Sequence, residues 1–80
     1  MITAIILCKL GINVIPQVIK NLEQINEIKT IMSVTGIYDL IIEIEVDTTE
    51  KLYEVFANKI DQIEGIVESN THVVMKSWEK

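Results

Sequence analysis

Two seven-residue segments of the chain repeat one pattern, and this repeat constrains the fold more than any other feature. Residues 22–28, LEQINEI, align with residues 60–66, IDQIEGI. Each segment ends a stretch with helical spacing of apolar residues and leads into a run rich in β-branched residues. Both halves of the chain are therefore expected to leave a helix in the same way and to place an isoleucine in the core. A β-α-β unit that occurs twice predicts the order βαββαβ.

The first strand is predicted from Ile2 to Lys9, because this segment is rich in β-branched residues. Its two alternating sets of side chains are both apolar, with Ile2, Ala4, Ile6 and Cys8 on one face and Ile5 and Leu7 on the other. A strand that is apolar on both faces is typical of the centre of a sheet.

The first helix is predicted over residues 14–24, with Asn13 as its N-cap. Pro16 falls in the first turn, where the missing N–H costs little. The apolar residues that follow have the spacing of one helical face: Ile15, Val18, Ile19 and Leu22.

The second and third strands are predicted over residues 28–35 and 38–46, joined by a turn that contains Gly36. The third strand alternates, so that its core face and its polar face can be assigned. Leu40, Ile42, Ile44 and Val46 form the first set, and Asp39, Ile41, Glu43 and Glu45 form the second.

The second helix is expected to begin after Asp47, with Asp47 as its N-cap and Glu50 as the capping-box partner. Its apolar stripe comprises Leu52, Val55, Phe56, Ile60 and Ile63. The last strand is predicted from about Val67 to Lys76, followed by a short peripheral tail.

Together these elements predict a single α+β domain over residues 1–80 with the ferredoxin-like fold, a four-stranded antiparallel sheet with two helices on one face. Helices leave the other face of such a sheet open, yet the first strand is apolar on both sides. Ile41 and Val74 add to the open side. An exposed apolar surface usually marks an interface, so two sheets are predicted to pack face to face in a two-fold dimer.

The charge balance argues against nucleic acid as a direct partner. The chain has seven Lys, no Arg and twelve acidic residues, for a formal net charge of −5. Backbone neutralisation needs a cationic face, and the commonest base contact needs Arg. No apolar run approaches the roughly 20 residues that span a bilayer, and no signal peptide is recognisable, so a cytoplasmic location without membrane contact is expected.

No catalytic site, metal site or cofactor site is predicted, and the chain is not expected to be an enzyme. His72 lies in a predicted strand and Cys8 ends a buried one, so both are interpreted as packing residues rather than as a base and a nucleophile. Glu43 and Glu45 offer a carboxylate pair for a metal, but such pairs are ordinary on a solvated strand face. The open face also lacks the aromatic residues that stack on RNA bases.

The segment of residues 34–40, VTGIYDL, has two interpretations. In the first it is a hairpin loop, in which Gly36 supplies an unusual backbone angle and Asp39 caps the turn. In the second, Thr35, Tyr38 and Asp39 place a hydroxyl, a phenol and a carboxylate beside exposed backbone N–H groups. That set suits a small zwitterion, with its carboxylate on the N–H donors and its ammonium on Asp39.

Four motifs occur in order along the chain: residues 33–40 (SVTGIYDL), Asp47 before a helix, residues 63–66 (IEGI) and residues 71–76 (THVVMK). With these motifs the chain resembles the effector-binding RAM domain of the leucine-responsive/asparagine-regulator (Lrp/AsnC) family of transcription regulators. The resemblance covers essentially the whole chain. Regulators of that family carry an N-terminal helix-turn-helix, whereas this chain begins directly with the first strand and so is similar to stand-alone members.

The resemblance implies a dimer of the dimeric α/β barrel type, homo-oligomeric octamer or decamer rings, and amino acids bound in crevices between dimers. It implies ligand-binding roles for Gly36, Tyr38 and Asp39, with Thr71 of the last strand nearby, and Thr35 joins this set. The leading hypothesis is a module that senses an amino acid or related metabolite and modulates a full-length Lrp/AsnC regulator by mixed assembly. The alternatives are a small cofactor-free enzyme on a dimeric barrel and a purely structural oligomerisation module.

Overall fold

The predicted βαββαβ order is confirmed in a computed structural model that describes residues 1–80. The four strands are β1 (Ile2–Leu10), β2 (Ile28–Ser33), β3 (Leu40–Val46) and β4 (Ile66–Val73). The helices are α1 (Ile15–Leu22) and α2 (Thr49–Val55), and α2 continues into a π-helical turn, Phe56–Ile60. The sheet order is β2-β3-β1-β4 with every neighbouring pair antiparallel, so β1 is central and β2 and β4 are the edges.

The core lies between the sheet and the helices and contains only apolar side chains. β1 contributes Ala4, Ile6 and Cys8, and β3 contributes the predicted set from Leu40 to Val46. Val18 and Leu22 of α1 pack against them from the helix side. The alternation read from β1 and β3 therefore assigns both faces of the sheet correctly.

The predicted N-cap of the first helix is wrong. Asn13 has φ of +61° and lies in the turn before the helix, and Val14 takes the N-cap position without a side-chain hydrogen bond. Asn tolerates the left-handed region, so here it serves the turn rather than the cap. Pro16 does lie in the first turn, and the helix ends at Leu22 rather than at residue 24.

The predicted N-cap of the second helix is displaced by one residue. Thr48, not Asp47, has the extended backbone of a cap, and its hydroxyl accepts a hydrogen bond from the Lys51 N–H at 3.0 Å. Glu50 is then too early to close a capping box, and its Oε1 accepts from the Thr49 hydroxyl instead. Two adjacent residues are both good caps by type, and the register of the helix on the core selects the second.

The π-helical turn keeps the second half of the helical segment on the core. The Asp61 N–H donates to the Phe56 carbonyl at 2.7 Å, a span of five residues. Val55 and Ile60, also five apart, are both fully buried. In a regular α-helix they would point about 140° apart, so the wider turn is what allows both to face the sheet.

The seven-residue repeat is a structural repeat as well. Leu22 and Ile60 each end a helical segment in the core, and their carbonyls accept from the N–H groups of Ile25 at 3.0 Å and Ile63 at 3.1 Å. The largest difference between the two copies is at the sixth position, where one has Glu27 and the other Gly65.

Gly65 has φ of +104°, and a Cβ there would lie 2.8 Å from Val18 Cγ2 and 3.0 Å from Val14 Cγ2. Its carbonyl accepts from the Gly11 N–H at 2.8 Å, which joins the loops before α1 and before β4. The chain approaches α1 so closely here that only glycine fits.

Three strand ends differ from prediction by two residues or more. β2 stops at Ser33 rather than at residue 35, and β3 starts at Leu40 rather than at residue 38, because Gly36 and its neighbours form a loop closed by the Val34 N–H on the Asp39 carbonyl. β4 ends at Val73 rather than at Lys76. Its pairing with β1 ends at Val73 opposite Ala4, and one further hydrogen bond runs from the Val74 N–H to the Thr3 carbonyl at 2.9 Å.

Gly65→Ala tests the close approach to α1. We expect a loss of about 3 kcal/mol in the free energy of unfolding, because backbone strain and overlap with Val18 add together. The measurement is urea denaturation at fixed protein concentration. Gly11→Ala is the matched control, since a Cβ at Gly11 meets no atom closer than 3.9 Å. Equal effects of the two substitutions would contradict the assignment.

Glu27 connects α2 and its π-helical turn to the start of β2. Its carboxylate lies 3.3 Å from Lys59 Nζ and 3.9 Å from Lys51 Nζ. A hydrogen bond from its own backbone N–H and these two ammonium groups hold the pKa of Glu27 below its usual value, although burial acts in the opposite sense. The carboxyl therefore stabilises the fold above its unfolded pKa of about 4.3, and this contribution is lost as pH falls through the lower folded pKa.

Glu27→Gln is expected to destabilise the protein at neutral pH, and the difference from wild type should shrink towards zero below about pH 4. Urea denaturation at a series of pH values measures this difference. Glu64→Gln serves as control, because Glu64 is exposed, lies in the equivalent turn and makes no ion pair. A Glu27→Gln difference that stays constant with pH would rule out the ionic contribution.

Candidate functional site

The loop of residues 34–39 connects the edge strand β2 to the central strand β3. The Val34 N–H donates to the Asp39 carbonyl at 3.0 Å, and the Asp39 N–H donates to the Cys8 carbonyl at 2.8 Å. Gly36, at the tip, has φ of +113°, while no atom lies within 4 Å of the position its Cβ would take. Glycine is needed here for the backbone angle and not for lack of space.

The Asp39 side chain fastens this loop to the end of β1. Its Oδ2 accepts a hydrogen bond from the Leu10 N–H at 2.8 Å. Leu10 lies where the pairing of β1 with β4 shifts register, so the carboxylate takes up a donor at an irregular point of the sheet. Oδ1 of Asp39 has no partner within the chain. The Asp39 carboxylate therefore fastens the loop to β1 instead of capping the turn, which is closed by backbone groups, and its second oxygen has no partner in the chain.

Tyr38 reaches from the loop to the opposite edge strand. Its phenolic oxygen accepts a hydrogen bond from Asn70 Nδ2 at 2.7 Å. Asn70 pairs with Leu7 in the ladder of β1 and β4, so its side chain lies on the open face of the sheet. Sequence reasoning missed Asn70, and the signal was its type, because Asn is uncommon in the middle of a strand.

Four successive backbone donors in the loop are unpaired. The N–H groups of residues 35–38 make no hydrogen bond within the chain, and Thr35 adds an exposed hydroxyl beside them. Consecutive free N–H groups in a turn form a concave surface of positive potential that suits an anion. The predicted residues Thr35, Gly36, Tyr38 and Asp39 therefore lie in one loop, which also contains these unpaired donors and a carboxylate oxygen without a partner in the chain.

Thr71 is not part of this cluster within one chain. It pairs with Ile6, which faces the helices, so its side chain lies on the opposite face of the sheet from Asn70. There it lines a cavity of about 360 Å³ between α2 and β4. The other lining residues are Thr49, Leu52, Tyr53 and Phe56. The prediction placed Thr71 near the loop, and the two-residue period of the strand separates them.

The open face of the sheet carries a broad apolar surface. Met32, Ile41 and Leu7 stand in one row across β2, β3 and β1, with Asn70 at its end. The next row contains Thr30, Glu43, Ile5 and His72. The predicted open face is thus present, and no part of the chain covers it.

The side chains considered for catalysis and metal binding lie outside the loop of residues 34–39. Cys8 is fully buried, and burial raises the pKa of its thiol to about 11, so it is a neutral thiol at physiological pH. His72 lies on β4 opposite Ile5. Glu43 accepts from the Thr30 hydroxyl at 2.6 Å, and Glu45 pairs with Lys29 at 3.4 Å. No three His, Cys, Asp or Glu side chains converge as metal ligands would.

Neither helix has the length and apolar character required to cross a membrane.

Comparisons with solved structures support this architecture. FFRP-DM1 has a TM-score of 0.89 and 31% sequence identity, and the match covers 94% of this chain and 100% of that chain. Escherichia coli AsnC has a TM-score of 0.91 and 25% identity, and the match covers 95% of this chain and 52% of AsnC.

The sequence comparisons lead to the same group of proteins. An uncharacterised helix-turn-helix transcriptional regulator of Pyrococcus furiosus is 28% identical over 79 residues, which is 96% of this chain and 53% of that regulator. The chain therefore spans about half the length of this curated relative. Residues 3–80 match the sequence model of the family described as the Lrp/AsnC ligand binding domain. With the sequence match and the fold in agreement, the chain belongs to the family of Lrp/AsnC ligand-binding domains.

Proposed function

We propose that the chain is a sensor domain, which binds an amino acid or a related zwitterionic metabolite at the loop of residues 34–39 in an assembly of several copies. The observation that carries this proposal is the run of four unpaired N–H groups beside the free Oδ1 of Asp39. Membership of a family of ligand-binding domains supports a binding role.

The loop offers separate partners to the two charges of a zwitterion. The carboxylate is bound by the N–H groups of residues 35–38 and the Thr35 hydroxyl, and the ammonium by Asp39 Oδ1. The chain has no Arg for a bidentate clamp, so backbone donors are the available substitute. Tyr38, held by Asn70, gives the site a fixed aromatic wall.

A single copy supplies only part of such a site. Thr35, Gly36 and Ile37 are exposed, whereas small-molecule sites bury most of the ligand surface. We therefore place the ligand where the loop of one copy meets another copy. Thr71, which faces away from the loop of its own chain, contributes from the neighbouring copy in this arrangement.

The open sheet face supports the assembly. Leu7, Ile41 and Met32 form an apolar surface that a second sheet would cover, which gives a two-fold dimer. Further contacts between dimers build the octamer or decamer ring, with the loops at the junctions.

We propose that the chain affects transcription through partner proteins. The Pyrococcus furiosus relative is named as a helix-turn-helix regulator, and this chain spans about half of it. With seven Lys, no Arg and a net charge of −5, the chain itself is a poor ligand for DNA. Mixed assembly with a full-length regulator of the same family would link ligand binding to transcription.

Asp39→Asn separates the two roles of Asp39. The amide oxygen can still accept from the Leu10 N–H, so stability should change little, while the lost charge should weaken amino-acid binding about tenfold to a hundredfold. Isothermal titration calorimetry across the twenty amino acids, followed by the variant on any binder, measures this effect. Asp61→Asn, on an exposed turn, is the control. If no amino acid binds while the protein still assembles, a structural module is the better description.

Ile41→Lys tests the sheet-to-sheet dimer. A charge in the middle of the open face should be excluded from an apolar interface, so the variant is expected to elute as a 9.1 kDa monomer in light scattering coupled to size exclusion. Ile12→Lys, on the exposed loop between β1 and α1, should leave the mass of the assembly unchanged. Circular dichroism confirms that both variants are folded. An unchanged assembly of Ile41→Lys would refute this interface.

A further inference from the structure

Glu43 is a carboxylate on the open face of the sheet that forms no ion pair within its own chain. Its Oε1 accepts from the Thr30 hydroxyl at 2.6 Å, and its Oε2 has no partner. By contrast, Glu45 on the same face of β3 lies 3.4 Å from Lys29. Burial of a carboxylate in an apolar interface is costly unless its oxygens are hydrogen-bonded. A dimer that covers this face must therefore supply a donor to Glu43.

His72 is an unused donor in the same row of side chains. The row crosses the sheet from Thr30 through Glu43 and Ile5 to His72. The imidazole is exposed and makes no hydrogen bond within the chain. It has at least one N–H to donate in either charge state. Two strand spacings, about 10 Å, separate His72 from Glu43, so the two side chains do not meet within one copy.

The charges on the open face distinguish two ways of stacking a second copy. Packed sheets keep their strands nearly aligned, so the two-fold axis runs either across the strands or along them. An axis across the strands lays β3 on the partner's β3, and the carboxylates of Glu43 and Glu45 then face their own copies. An axis along the strands reverses the strand order, so that β1 lies over β3 and β4 over β2. Because like charges that face each other weaken an interface, the second axis is favoured.

We infer that His72 of one copy donates a hydrogen bond to Glu43 of a second copy, and that this pair forms twice across the open faces of the two sheets. The inference rests on the sheet-to-sheet dimer of the proposed function. It goes further in naming the polar contact that selects one orientation of the two copies over the other. His72, which has no role within its own chain, thereby becomes a residue of the interface.

The hydrogen bond from Thr30 directs the Glu43 carboxylate towards this contact. With the axis along the strands, each row lies over its own reversed copy, so His72 of one copy projects over Thr30 of the other. Thr30 draws the carboxylate from β3 towards β2, which is the side where the imidazole arrives. Stacked sheets are about 10 Å apart and their inner side chains interdigitate, so a His and a Glu from facing sheets can meet.

Exchange of charge between the two positions tests the pair. Glu43→Lys removes the acceptor, and His72→Glu sets two carboxylates against each other. Each variant alone should therefore have a dimer dissociation constant about tenfold to a hundredfold above that of wild type. An equal mixture of the two should recover association, because a heterodimer contains one native pair and one pair of reversed charge. Sedimentation equilibrium measures the constants, with Glu64→Lys, on an exposed turn, as control.

The outcomes separate this pair from the dimer that it requires. Single variants that associate like wild type, or a mixture that associates no better than either variant alone, overturn the pair and leave the sheet interface intact. Tighter association of Glu43→Lys alone would indicate the axis across the strands and also overturn the pair. A wild-type protein that stays monomeric would contradict the sheet-to-sheet dimer of the proposed function, and the pair with it.

His72→Gln and Glu43→Gln give a second measurement in which no charge is reversed. Each substitution should raise the dissociation constant about tenfold, and the double variant should be little weaker than either single one, because both remove the same contact. A double variant whose loss equals the product of the two single losses would show that the residues act independently, which overturns the inference. Circular dichroism confirms that each variant keeps the fold.

Discussion

The ladder between β1 and β3 is the constraint on which the rest of the structure depends. Seven successive pairs, from Ile2 with Val46 to Cys8 with Leu40, run without a shift. Because side chains alternate with a period of two, this register alone decides that Ala4, Ile6 and Cys8 meet the helices and that Ile5 and Leu7 do not. A slip by one residue would turn the core face of one of these two strands to the open side of the sheet.

Local pattern was enough for the order of elements, because β1, β3 and the repeated helix exits are each specified within a few residues. The local pattern failed where two adjacent residues suit the same structural position equally well. Asp47 and Thr48 are both good caps, and packing of Leu52 and Val55 decides between them. The π-helical turn has no local signature either, since it exists to bury Ile60 against a sheet formed by distant segments.

The same distinction between local and long-range features applies to the candidate site. The loop of residues 34–39 was recognisable from Gly36 and its polar neighbours. The hydrogen bonds that shape it were not, since the Leu10 N–H and Asn70 come from strands distant in sequence. Thr71 was assigned to the loop by motif order, whereas only the pairing of Thr71 with Ile6 shows which face of the sheet it occupies.

An 80-residue chain whose core contains no polar group gains little by adding polar residues to its own interior for a ligand. Each buried polar group needs a partner, and a core of this size has few to offer. In the proposed site, the loop would avoid this cost by using backbone donors that are already present and exposed. Such donors provide affinity for any carboxylate and distinguish poorly between side chains. Selectivity for one ligand over another must then come from whatever surface closes over the loop, and in the proposed assembly that surface belongs to a neighbouring copy.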